Sequence, residues 1–304
     1  MVMSRSFVKA LIIAGFMPLA GFAQQIQMNT PFLLHRHYVN PSYNGVLDFH
    51  QLDLFMGSKS KWNGVPGSPT VNAAHAIAKF TDEHTLGIQM VEHAYATFNY
   101  QSIALPYSFT AKLNDYHALK LGLATRFVQS NIDFSNAITE MTIEPALDNY
   151  SRLTVFVDAN AGVSYHFKDR FSMGLAMTNF VVNGSVNEPD LLNYAAYSLL
   201  QGTADIHYIF YRTERNSSSF DALVTSNGAM PATYQLFLTT EQQISEAKAL
   251  IGIGYKSTGD LVTILRIHMA KFYYLYTFEA PVVGQQLTAF TGNYVGLGYK
   301  FTAP

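Results

Sequence analysis

His35 and His37 flank Arg36 in a His-x-His triplet, a spacing that on an extended backbone turns both imidazoles to the same side. Two imidazoles so placed could begin a site for zinc or another transition ion, but such sites normally take a third protein ligand. None stands nearby in the sequence, so the pair reads as a solvated surface feature, and no metal or other cofactor is expected. Ser164 and His166, two residues apart, could pair as a nucleophile and its base. They lie on the small, polar face of the segment Val155–Phe167, away from any lipid substrate. A Gly-x-Ser-x-Gly elbow, a phosphate-binding loop ending in Lys-Ser/Thr and a His-Glu-x-x-His pair are all missing, so the chain reads as a non-enzyme. Asp82-Glu83-His84 reads as a polar turn. Arg126, Asp158 and His166 share the small, polar faces of their segments, where they would either fill and wet an interior or ring a solute path.

The segments that carry these residues alternate. In Ile103–Thr110, Leu119–Ala124, Val155–Phe167 and Phe171–Met177, large apolar side chains take turns with small or polar ones, which a strand places on opposite faces. Several runs are ten to fifteen residues long, against five or six for the usual soluble strand and about nine to eleven for a tilted membrane strand. Fourteen strands are expected, at 45–57, 69–79, 84–92, 98–113, 117–129, 153–167, 171–182, 203–211, 219–226, 233–240, 249–257, 261–269, 272–279 and 293–301. That count puts the long connections 58–68, 130–152, 183–202 and 280–292 at one end and the tight turns Asn114–Tyr116 and Lys168–Arg170 at the other. Outer-membrane barrels have this asymmetry, with an even strand number and both termini on the periplasmic side. The expected fold is therefore an all-β transmembrane antiparallel barrel.

Composition and export signals agree. Aromatic residues make up 14% of the chain and charged ones only 13%, where a soluble domain carries near a quarter charged. Arg5 and Lys9 precede an apolar run of eleven residues, Ala10–Ala20, and Gly21-Phe22-Ala23 offers small residues to a signal peptidase. Eleven helical residues cannot cross a core about 30 Å thick, so 1–23 reads as a cleaved signal peptide and 24–304 as one barrel domain. Its first part, 24–44, is expected to be a short periplasmic segment. Losing Arg5 and Lys9 leaves 17 basic against 21 acidic residues, a formal charge of −4, too mild to call for nucleic acid or anionic lipid. There is no cysteine, which excludes disulfides, thiolate metal sites and a lipoprotein anchor.

Turn-forming residues cluster at the start of the mature chain: Asn40-Pro41-Ser42-Tyr43-Asn44-Gly45, then Trp62, then Gly67-Ser68-Pro69-Thr70. In this order the chain resembles the PorP/SprF family, outer-membrane proteins of the type IX secretion system of Bacteroidetes. The family pattern is Asn-Pro-Ala-Tyr-Ala-Gly, Arg-x-Gln-Trp and Gly-Ala-Pro-x-Thr. Here Ser42, Asn44 and Ser68 replace alanines, and Lys59-Ser60-Lys61 stands for Arg-Ser-Gln. Weaker similarity continues through Asn160–Tyr165, Phe171–Ala176, Met230–Tyr234 and Ile251–Lys256 to altered landmarks at Tyr276–Glu279 and Gly292–Val295. In the last strand Gly296, Tyr299 and Phe301 resemble the signal that directs barrels to outer-membrane insertion.

The resemblance implies a multi-pass outer-membrane barrel of the secretion or linked gliding machinery. Its partners would be outer-membrane lipids, periplasmic ring and lipoprotein subunits, and a secreted adhesin bearing a C-terminal sorting domain, with no nucleic acid. Asn40, Pro41, Tyr43, Gly45, Trp62, Gly67, Pro69 and Thr70 are the family positions that could meet partners. Strand count places Asn40–Gly45 at the periplasmic mouth and Trp62 in the first outer loop, either at the membrane interface, where indole rings settle, or presented to a partner. The alternative function is an outer-membrane channel or transporter of hydrophobic solutes.

Overall fold

The computed structural model describes residues 35–45, 52–61, 67–133, 151–184, 200–226, 232–282 and 291–301. Trp62 and the segment 1–34 lie outside them. Fourteen antiparallel strands form one closed barrel: β1 Leu52–Lys61, β2 Thr70–Lys79, β3 His84–Tyr95, β4 Phe98–Lys112, β5 His117–Asp133, β6 Ser151–Phe167, β7 Phe171–Gly184, β8 Gln201–Arg212, β9 Asn216–Ser226, β10 Thr233–Ile244, β11 Ala247–Lys256, β12 Asp260–Met269, β13 Phe272–Pro281 and β14 Gly292–Phe301. Each strand pairs with its sequence neighbours, and β1 pairs with β14 from Leu52↔Phe301 to Lys61↔Gly292, so no edge is left open. The expected strand number holds. The first strand continues through Lys61 into what was expected to be loop; at its other end Gly45 belongs to a 3₁₀ turn, and residues 46–51 of the expected strand lie outside the described residues.

The connections separate as the alternation requires. The five connections 62–69, 134–150, 185–200, 227–232 and 282–291 are at one end, together with two tight turns at 96–97 and 257–259; the opposite end has only turns of two to four residues. Along β4 the side chains of Ile103, Leu105 and Tyr107 are exposed, whereas Ser102, Ala104 and Ser108 are buried. On β5, Leu121, Leu123 and Phe127 are exposed against buried Ala124 and Val128. An apolar belt continuous around the outside would be unstable in water and is what hydrocarbon solvates.

The core lies inside the barrel. Phe55, Leu223, Phe237, Val262, Ile264, Tyr273, Leu275 and Tyr294 form an apolar cluster on the inner faces of β1, β9, β10 and β12–β14. A smaller one, Tyr100, Val128 and Phe156, lies on β4–β6. Gly296 belongs to this packing: a Cβ there would come within 2.5 Å of the Phe55 ring. It therefore faces inward, while Tyr299 and Phe301 sit on the outer face, where Tyr299 packs edge-on against Phe272 and Phe301 lies beneath the Lys271 ammonium.

Candidate functional site

Residues 35–45 do not lie at the mouth of the barrel. They fold inside it, as two short 3₁₀ turns, Arg36–Tyr38 and Pro41–Gly45, in the half of the lumen nearer the short turns. Asn40, Ser42, Tyr43 and Asn44 are all at most 4% exposed. The reason is local chemistry: this segment presents polar groups that the inner wall can satisfy, and the wall is flat where it docks.

The flat patch is made by Gly122 of β5 and Gly162 of β6, which are directly paired across the ladder. A Cβ on Gly122 would lie 2.1 Å from the Ser42 amide nitrogen, and one on Gly162 would lie 2.0 Å from Asn40 Oδ1. Only glycine lets the backbone of Pro41 and Ser42 approach this closely. Asn40 Oδ1 accepts from the Ser42 amide at 3.0 Å and from Ser42 Oγ at 2.7 Å, an Asx turn that presets the segment. Asn40 Nδ2 donates to the carbonyls of Val163 and Leu175. Asn44 Nδ2 donates to the carbonyl of Pro106 at 3.2 Å, where proline interrupts the β3–β4 register.

A second anchor is ionic. Arg36 Nη2 pairs with Asp221 of β9, Nη1 donates to Ser172 Oγ of β7 at 3.1 Å, and Asp205 of β8 lies 3.9 Å away. Tyr43 Oη donates to Asp205 Oδ1 at 2.6 Å, with the guanidinium 5.2 Å from its ring centre. Burial first, and Asp205 second, push the Tyr43 phenol above its ordinary pKa, so it remains a donor. Arg36→Ala would leave two buried carboxylates without their cation. Docking of the segment should weaken by about 3 kcal/mol. Limited proteolysis of the folded barrel, with cleavage sites mapped by mass spectrometry, should then show new cuts within 35–45, and an unchanged pattern would contradict it.

The third anchor is aromatic. His35 packs on Phe55 of β1 at 4.1 Å between ring centres, and His37 Nε2 lies 3.3 Å from Nδ1 of His75 on β2. Tyr38 Oη lies 3.2 Å from the same nitrogen. Burial, followed by His75, lowers the pKa of both His35 and His37, which keeps the rings neutral. The triplet expected to be solvated instead caps and opens a 3₁₀ turn inside the lumen, with His35 buried and Arg36 and His37 partly buried, and a third imidazole joins it from a residue distant in sequence.

The remaining residues singled out in the sequence are distributed along the wall. Arg126 and Asp158 face each other across β5 and β6 with Nε–Oδ1 at 2.9 Å; Arg126 also donates to Asn179, whose positive φ marks a bulge in the β6–β7 ladder. His166 accepts or donates at 3.0 Å to Ser164 Oγ and packs edge-on against Tyr43. Gly67, with φ of +71°, accepts from the Ala96 amide, Pro69 accepts from Lys61, and Thr70 opens β2, so this element ties the first hairpin to the β3–β4 turn. Gly45 ends the second 3₁₀ turn. Arg36, His75, Asp205 and Asp221 were not singled out in the sequence, although Asp205 and Asp221 are inward positions on alternating strands.

A closed fourteen-stranded barrel with an apolar exterior, short turns at one end and its own N-terminal segment packed in the lumen is a plugged outer-membrane-type barrel. The family model for the type IX secretion system membrane protein PorP/SprF matches residues 21–299, and the chain belongs to that family. Among solved structures, the Ralstonia pickettii toluene transporter TbuX is similar with a TM-score of 0.55 at 10% identity, covering 94% of this chain and 96% of that one. The Pseudomonas putida toluene transporter TodX gives 0.54 at 8%, covering 88% and 94%, and a Pseudomonas aeruginosa FadL homologue 0.51 at 12%, covering 86% and 92%. At these identities the likeness is one of fold. No curated protein matches the sequence.

Proposed function

We propose that this barrel is a non-enzymatic scaffold of type IX secretion, or of the linked gliding machinery. After Sec-dependent export and removal of residues 1–23, it would fix periplasmic ring and lipoprotein subunits to the outer membrane and hold secreted adhesin cargo at the surface. Family membership supports the system. The observation that carries the scaffold role is the segment 35–45 held inside the lumen by contacts to β2, β4 and β9, which supports a wall element over an open pore. The turns at the short-turn end are the surfaces from which periplasmic subunits would be engaged.

A second function, transport of a hydrophobic solute, has one observation in its favour: the barrel shares its fold with two toluene transporters. Two measurements on one preparation separate them. The native barrel purified in mild detergent should bring ring and lipoprotein subunits with it, and in planar bilayers it should show no large open-pore current. A large steady current, or a barrel that purifies alone yet carries labelled toluene into liposomes, would overturn the scaffold assignment.

A further inference from the structure

His35, His37 and His75 are brought together by the fold and not by the sequence. The first two come from the lumenal segment and the third from the inner face of β2. One ring nitrogen from each lies within 4.8 Å of the other two, and His37 Nε2 is 3.3 Å from His75 Nδ1. Two nitrogens bound to one tetrahedral zinc ion at 2.0–2.1 Å are separated by about 3.3–3.4 Å. The pair is therefore already at ligand spacing.

Two further observations point to a ligand. His35 and His75 are 4% and 5% exposed, and Nε2 of each has no hydrogen-bond partner among the described residues. An unpaired buried polar atom costs about 1–3 kcal/mol, so His35 Nε2 calls for an explanation; Nε2 of His75 faces Asp53 and not His37. Behind His75, Asp53 Oδ2 lies 4.0 Å from Nε2, and Tyr273 Oη holds the carboxylate at 3.1 Å through Oδ1. Histidines that bind metal through one nitrogen commonly hydrogen-bond a carboxylate through the other; at 4.0 Å Asp53 is an ion-pair neighbour of His75, beyond hydrogen-bond length. Arg266 and Lys300 add positive potential at His35, but Arg266 is paired with Glu241 at 2.9 Å and Lys300 lies over the Tyr273 ring. Asp53 supplies the nearest compensating charge.

We infer that His35, His37 and His75 form a three-histidine site for a first-row divalent cation, with zinc the best match, that latches the lumenal segment to the barrel wall. Three imidazole ligands suit zinc and its neighbours and do not suit calcium or magnesium, which take oxygen ligands. Tyr38 Oη, 3.2 Å from His75 Nδ1, or a water completes the coordination. Because two ligands belong to the plug and one to the wall, the ion would have to leave, or lose His75, before the plug could move.

The test uses the full-length mature barrel, purified in detergent with a non-histidine tag and stripped by a chelator. Zinc chloride is then titrated against a chromophoric zinc chelator, with bound metal counted by mass spectrometry. One zinc per chain is expected, with affinity at least tenfold weaker in His37→Gln and in His75→Gln. Heat-modifiable mobility on a gel reports that each variant is folded. His37→Gln alters only the plug, so it remains decisive should His75→Gln fail to fold. Zinc retention no greater than that of a His35→Gln, His37→Gln, His75→Gln triple variant would overturn the site, as would affinity unchanged by His37→Gln in the folded barrel.

Discussion

Gly122→Val combined with Gly162→Val should drive residues 40–43 off the barrel wall while leaving the barrel closed. The added Cβ atoms would sit 2.1 Å from the Ser42 amide nitrogen and 2.0 Å from Asn40 Oδ1. At Gly122 the obstacle is plug backbone, since the Pro41 carbonyl carbon is also only 2.2 Å away, so no rotamer change relieves it. Overpacking costs about 1–3 kcal/mol per site and occasionally more, and here both sites press on one short segment. The β5–β6 ladder itself should tolerate the change, because valine suits a strand and the paired positions keep their backbone bonds. The chain contains no cysteine, so Ser42→Cys gives a single reporter that is buried when the plug is docked. A loss of about 3 kcal/mol in docking corresponds to roughly 100-fold faster alkylation by a maleimide, since each 1.36 kcal/mol is a factor of ten. Both backgrounds carry the same cysteine, so its own perturbation cancels. Equal protection in folded barrels of both backgrounds would show that the segment is not held by this patch.

The barrel was legible in the sequence because its determinants are local. Alternation in strands such as β4 and β6 fixes which side chains share a face, and the spacing of turn residues fixes the count; both survive errors of a few residues at each end. The plug was not legible, for a physical reason. Alternation assigns Gly122, Gly162, Ala124 and Ala176 to the inside but says nothing of what occupies the space such small residues leave. They read as the lining of a lumen, and in the structure Gly122 and Gly162 are the footprint of Asn40–Ser42.

The landmarks of the family resemblance show the same division. Asn40-Pro41-Ser42-Tyr43 was recognisable by itself, as were Asn160–Tyr165 and Phe171–Ala176. That they meet, with Asn40 Nδ2 bonded to Val163 and Leu175 and Tyr43 beside Gly174, follows only from barrel closure. Placing Asn40–Gly45 at the periplasmic mouth followed chain order, and chain order does not forbid a segment from entering the lumen before it turns into β1. His75 illustrates the limit most sharply. It is one histidine of ten in the sequence, and nothing in the spacing of His35 and His37 selects it.

The same convergence occurs at the long-loop end of the lumen, and it yields the largest stability effect expected of any single residue. Lys59 lies in the element preceding Trp62, Lys256 ends the landmark Ile251–Lys256, and Glu279 ends the landmark Tyr276–Glu279. In the fold both ammonium groups reach one carboxylate oxygen, Glu279 Oε1, at 2.8 Å and 2.5 Å. The three side chains are 6%, 3% and 1% exposed, so water cannot take the place of a missing partner. Glu279→Ala would leave two buried cations facing each other with no anion between them. Breaking a buried pair from one side typically costs about 3–5 kcal/mol, and the lysine–lysine repulsion places this case at the upper end. The midpoint of urea unfolding in detergent micelles, followed by heat-modifiable mobility, should fall accordingly. Replacing the whole group with apolar residues, as Lys59→Met, Lys256→Met and Glu279→Leu, should return stability to within about 1 kcal/mol of the parent or above it, because desolvation of all three charges is then removed together. If Glu279→Ala alone were as stable as the parent, the two lysines would have to be hydrated in the folded barrel. The lumen at this level would then be wet rather than packed.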